Sequence, residues 1–181
     1  MYAYSFYLFF DFAGYSLMAI GVSYILGVKT PENFNMPFIS RDMKDFWNRW
    51  HISLSYWFRD FIYTRFVMRS LEKKRFKDKH TASYVGFLIT FVTMGLWHGI
   101  KTYYFIYGLY EGMLLIFTEY FQLKSSLYKK YKNHLTFKLV SIFINFHLAC
   151  FGLLLFSGYL SFRMIFKKVI MIVTAAGTLI F

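Results

Sequence analysis

Of the 181 residues, 57% are apolar and 24% aromatic, while only 17% carry charge, against about 25% in an ordinary soluble domain. Disorder is excluded, because disordered segments are poor in aromatics. A disulfide scaffold, a zinc ribbon and an internal redox pair are excluded too, because Cys150 is the lone cysteine. The net charge of +12 sits on a chain that reads as a compact membrane protein rather than a very greasy soluble one.

Residues 2–28 form the first expected span, with Asp11 as their one charge; about 20 apolar residues cross a bilayer as a helix. The segment is too long for the apolar core of a signal peptide, and no basic residue precedes it. Its abrupt start leads us to expect further helices upstream. Residues 29–60 are neither span nor ordinary loop, with Pro31 and Pro37 punctuating them. They run into SRDMKDFWNRWHISLSYWFRDFIY, 40–63, which the spacing predicts to be one amphipathic helix. Ser40 is the expected N-cap and Asp42 a first-turn acid. Phe46, Trp47, Trp50, Leu54, Trp57, Phe58 and Phe61 share one arc, and His51 falls at its edge. Such a helix would lie in the interface with its rings in the headgroup zone.

Three further spans follow, at 84–100, 102–123 and 137–160, giving an all-α, multi-pass bundle. Residues 65–79 hold seven basic side chains against two acids, and 124–138 hold five against none. The hairpin of spans between them returns the chain to its starting side, so both basic segments share one face. The positive-inside rule makes that face cytoplasmic. Arg163, Lys167 and Lys168 fall on the opposite side, in a tail (161–181) whose last stretch, 169–181, is too short for a confident crossing. Nucleic acid is a poor partner for these charges, since they flank spans and no recognisable nucleic-acid module is present; anionic headgroups account for them more simply.

His98, in GLWHGI, is an ionisable group within a span and therefore a functional candidate. A hydrogen-bonded core imidazole and a catalytic one are both open for it. Gly95, Gly99, Gly108 and Gly112 are spaced for close helix packing. His147 reads as a satisfied packing residue, whereas His80 and His134 read as solvated. Asp11, Glu111 and Glu119 are expected intramembrane acids, serving as proton relays or as hydrogen-bonded glue. No HExxH, GxSxG or P-loop occurs, and nothing at ligand spacing accompanies His51 and His98 for a metal site.

Three segments, FDFAGYSLMAIG (10–21), DFWNRWHISLSYWFRDFIY (45–63) and GLWHG (95–99), together resemble the membrane-bound O-acyltransferase family, in the expected order. The run YTRFVMRSLEKKRF after the second segment favours the branch that transfers D-alanine to teichoic acid over the polysaccharide O-acetylases. Family members are roughly twice this length. The resemblance therefore implies a C-terminal half, over residues 1–160, with an atypical hydrophobic tail at 161–181. It implies that His98 is the catalytic residue and His51 the second active-site position. Arg49, Trp50, Ser53 and Trp97 flank them as candidates to face substrate or carrier. It also implies a plasma-membrane enzyme with no bound cofactor. The donor would be a phosphopantetheine thioester on a D-alanyl carrier protein at the cytoplasmic face, and the acceptor a hydroxyl of lipoteichoic acid. The other partners would be the lipid bilayer and an N-terminal half of the same domain. The alternatives are a polysaccharide O-acetylase and a non-catalytic scaffold or transport component.

Overall fold

A computed structural model describes residues 1–161, so the expectations for the tail lie outside the described residues. Among these, the regular elements are helical: α1 (Tyr2–Ile25), α2 (Met43–Trp47), α3 (Ile52–Phe58), α4 (Thr64–Glu72), α5 (Lys79–His98), α6 (Thr102–Lys124), α7 (Ser126–Tyr131) and α8 (Leu135–Phe156). A short 3-10 turn, Pro37–Ile39, precedes α2, and a π-turn, Arg59–Tyr63, joins α3 to α4. Two helices, α1 and α8, are long and apolar enough to cross a membrane by length and composition.

The centre of the fold is the α5–α6 hairpin, closed by the turn at Gly99–Lys101. Its helices approach until backbone meets backbone. A Cβ on Gly95 would run into the carbonyl of Tyr104, and one on Gly108 into that of Phe91. Gly112 lies against Leu88 in the same way. The small residues thus have the packing role that their spacing suggests. Gly99 ends α5 at φ 155°, ψ 151°, a region that glycine alone enters freely.

The ends of the helices segregate as the charge pattern requires. His80 at the start of α5 reaches Glu119 near the end of α6, at 3.8 Å, so the two basic segments flank one end. Tyr4, in the first turn of α1, lines a recess with Tyr103 and Ser157 at the other end. Glu119 lies near the basic end, paired with Lys44 at 3.1 Å. His80, read as solvated, is its second neighbour. His147 packs as expected, with Nδ1 2.7 Å from the Phe143 carbonyl oxygen and its ring edge-on to Tyr2.

The segment 40–63 departs from the expected single helix. It breaks at residues 48–51, where His51 adopts φ 44°, ψ 56°, a left-handed conformation uncommon for any residue but glycine. Asp42, not Ser40, is the N-cap: its side chain accepts from the Asp45 N–H at 2.9 Å. Ser40 is buried instead, receiving the Asn145 amide of α8 at 2.8 Å. Nor do the rings lie at the interface as a set. Phe46, Trp47, Trp50 and Phe58 are buried, while Trp57 and Phe61 remain half exposed. Buried Trp47 meets Phe91 near the middle of α5 at 4.8 Å, and half-buried His51 meets Phe12 near the middle of α1 at 4.7 Å. The segment is an insertion into the bundle rather than a float upon it. Irregular backbone in so apolar a setting needs its polar groups satisfied by the protein around it.

Candidate active site

Local hydrogen bonding explains how so irregular a segment is held. Asp45 accepts from the Arg41 N–H at 3.1 Å and from Arg49 Nε at 2.6 Å, fastening α2 at both ends. The chain before it, around Phe34, then runs antiparallel to Trp50. The Asn35 N–H donates to the Arg49 carbonyl and the Ile52 N–H to the Asn33 carbonyl, each at 2.9 Å. With His51 left-handed, α3 lacks a side-chain cap of its own. Asn33 supplies one from a distance, its Oδ1 accepting from Ser53 N at 3.1 Å and from Ser53 Oγ at 2.6 Å. The Asn33 amide donates in turn to Ser16 of α1 at 3.1 Å. Arg49 and Ser53 are thus engaged in holding the segment, and neither lines the cavity described next.

His51 and His98 come to one cavity. It measures ≈ 80 Å³, and its walls include Phe12, Trp47, Trp50, Met94, Tyr107 and Phe156 beside the two histidines. His98, half-buried in the last turn of α5, stands edge-on to Phe156 at 4.9 Å and to Trp97 at 4.8 Å. Trp97 itself is 61% exposed and turned away from the cavity. Trp50, by contrast, is buried and forms part of its wall.

His51 shows two departures from ordinary structure. Its backbone is left-handed, and its Nδ1 is buried with no hydrogen-bond partner; the only other such side-chain atom among the described residues is Ser70 Oγ. A buried polar atom left unpaired costs roughly 1–3 kcal/mol, and positive φ at a non-glycine residue costs a further ~1–3 kcal/mol. Burial, with His98 nearby, holds the imidazole well below its ordinary range, so His51 is neutral near pH 7. A neutral imidazole has one nitrogen free to accept a proton or a hydrogen bond.

A second, larger chamber of ≈ 360 Å³ begins at Lys44 and Glu119 at the basic end and reaches inward to Phe58, Trp47 and Met94. Trp47 and Met94 also wall the histidine cavity. These two side chains are a common partition. The indole is fixed from behind, because Trp47 Nε1 donates to Glu111 Oε2 at 3.1 Å. Glu111 is 1% exposed and lies against Gly152, whose missing side chain gives the carboxyl its room. Glu111 therefore acts as hydrogen-bonded glue. Asp11 stays on the exposed face of α1.

Sequence reasoning alone did not single out Tyr107 on the cavity wall or Asn33 as the remote cap. For Asn33 a signal existed, an amide between two prolines in an otherwise apolar chain, a composition typical of turn-forming side chains. Tyr107 carries no such mark among sixteen tyrosines.

Comparison with known proteins places this geometry in a family. Residues 1–161 match the model of MBOAT, the membrane-bound O-acyltransferase family. The chain is 50% identical over 158 residues to the teichoic acid D-alanyltransferase of Bacillus subtilis, covering 87% of this chain and 40% of that protein. It is 46% identical over 178 residues to the enzyme of the same name from Streptococcus thermophilus, covering 93% and 43%. A probable alginate O-acetylase of Pseudomonas aeruginosa is 45% identical over 113 residues, covering 62% and 20%. The chain spans about two fifths of the length of the D-alanyltransferases it matches. With the family model matching nearly nine tenths of the sequence, the chain belongs to the membrane-bound O-acyltransferase family.

Proposed function

We propose that this chain carries the active-site histidines of a multi-pass plasma-membrane O-acyltransferase. Its reaction moves D-alanine from a phosphopantetheine thioester on a carrier protein to hydroxyls of lipoteichoic acid. In this reading α1, α5, α6 and α8 cross the bilayer, and the basic end faces the cytoplasm. The observation that carries the proposal is the common cavity of His51 and His98, with an unpaired imidazole nitrogen at its edge. The D-alanine donor and teichoic acid acceptor rest on the likeness to the two D-alanyltransferases over most of this chain.

The chemistry follows from the residues. An alcohol attacks a thioester poorly until a base accepts its proton. His98 accepts that proton, the hydroxyl oxygen bonds to the thioester carbonyl carbon, and the C–S bond breaks. The departing pantetheine thiolate takes the proton back from His98, which returns to the neutral form. His51 donates a hydrogen bond to the carbonyl oxygen or orients the pantetheine arm. No covalent enzyme intermediate is needed. The ≈ 360 Å³ chamber opening between Lys44 and Glu119 is the route for the arm from the carrier side. Trp50 supplies the apolar wall that keeps water from competing for the thioester.

The test is His98→Ala introduced at the native locus. D-alanine ester in the cell wall should vanish while membrane levels of the protein stay normal. Persisting esterification in that variant would refute the assignment and favour a scaffold. Loss of O-acetyl groups from an exported polysaccharide, with D-alanine ester intact, would point to the O-acetylase reading instead.

A further inference from the structure

A groove of ≈ 580 Å³ runs between α6 and α8, away from the histidines and unused by the reaction above. Its two ends differ in chemistry. At the basic end its rim carries Arg41, Lys132 and Lys138. The one acid there, Asp42, is already engaged by the Gln122 amide at 2.9 Å. Inward, the walls are apolar, with Phe117 of α6 and Val140 and Ile144 of α8 each at least half exposed. From Phe137 to Leu148 the groove follows eleven residue steps of α8, about 16 Å at ~1.5 Å per residue. That is close to one leaflet, half of a hydrocarbon core of ~30 Å.

A slot one leaflet deep, mainly apolar along its length with Thr118, Ser141 and Asn145 as its inner polar side chains, and cationic at its mouth, has the chemistry of a single lipid molecule. We propose that this groove binds one anionic phospholipid. The headgroup phosphate sits among Arg41, Lys132 and Lys138, and an acyl chain lies between α6 and α8. Charge complementarity selects the anionic class, since the rim sets three cations against one occupied carboxylate. A bound lipid would also cover apolar surface on α6 and α8 that no other described element covers, and would brace the pair that carries Glu111 and Gly152. The inference does not depend on the reaction assigned to the histidines.

Native mass spectrometry of the purified full chain in detergent tests it, with phosphatidylglycerol and phosphatidylcholine as the probes. One phosphatidylglycerol should be retained per chain, at least tenfold more tightly than phosphatidylcholine. A triple variant, Arg41→Ala with Lys132→Ala and Lys138→Ala, should lose that preference by tenfold or more, since each surface cation contributes roughly fivefold. All three sites are on the rim, so helix content by circular dichroism should not change. Ser141→Trp, which fills the groove and leaves the cations in place, should weaken both lipids alike. Equal retention of the two lipids, a preference unmoved by the triple variant, or retention unmoved by Ser141→Trp would overturn the proposal. So would a mass showing a second chain in place of the lipid.

Discussion

The α5–α6 hairpin and the inserted segment 33–63 solve the same problem by opposite means. The hairpin brings two uniform helices together by deleting side chains, with Gly95 and Gly108 letting backbone rest on backbone. The insertion brings irregular chain to the same depth by adding polar contacts: Ser40 with Asn145, Trp47 with Glu111, Asn33 with Ser53 and Ser16. The first device depends on shape and the second on satisfied hydrogen bonds. Damage should therefore act differently on the two. A larger side chain should break the hairpin, whereas a lost donor or acceptor should loosen the insertion and leave the hairpin standing.

The largest effect is expected at Gly108. Replacement by Leu would drive a side chain into the Phe91 carbonyl, and overpacking against backbone costs ~3 kcal/mol or more; loss of folded protein in a thermal-shift assay checks it. Glu111→Ala comes next. It leaves the buried Trp47 N–H unpaired, a cost of about 1–3 kcal/mol, and should red-shift and broaden tryptophan emission, with α5 and α6 still protected from hydrogen exchange. Glu111→Gln, which keeps an acceptor, should recover most of the loss. At His51, Gly should be more stable than Ala by about 1 kcal/mol because it adopts positive φ without strain, reversing the usual order of those residues within helices; denaturation midpoints decide this. The smallest effect belongs to Lys44→Gln, whose ion pair with Glu119 is partly solvated and contributes about 0.2–1 kcal/mol.

A pH series sharpens the comparison further. Because the folded protein holds His51 below its ordinary range, the unfolded chain binds more protons once the pH drops beneath ~6.5. Stability should fall from there toward more acid conditions. His51→Gln should flatten that slope, and Gly108 variants should not. A melting temperature whose acid dependence is identical in the wild type and His51→Gln would remove burial of this imidazole as the cause.

How far the sequence foretold these two regions differs for the same physical reason. The hairpin was legible because its determinants are local: largely apolar runs interrupted in α6 by Glu111 and Glu119, small residues at fixed spacing, and basic segments on either side. The insertion was misjudged because its determinants are distant. A wheel drawn through 40–63 groups Phe46, Trp47, Trp50 and Phe58 correctly on one arc, yet cannot show that the arc faces protein instead of headgroups. Nor can periodicity reveal that His51 takes a left-handed turn, since the cap that replaces its own lies at Asn33, twenty residues before Ser53. His98 stood out as an ionisable group within an apolar run, resemblance to a family gave it and His51 their roles, and their common cavity is where the local and distant patterns meet. Glu111 was visible as an anomaly, an acid in an apolar run, but its partner was not.

The partition formed by Trp47 and Met94 carries an implication for bioenergetics. A passage wide enough for a pantetheine arm is wide enough for a file of water, and water files conduct protons. An acyltransferase that left such a path open between turnovers would short-circuit the proton-motive force of its own cell. On the proposed reaction, an indole pinned by a carboxylate and backed by a pliable thioether would stand across that conduit between turnovers. Electrical insulation would then be a second demand on those two side chains.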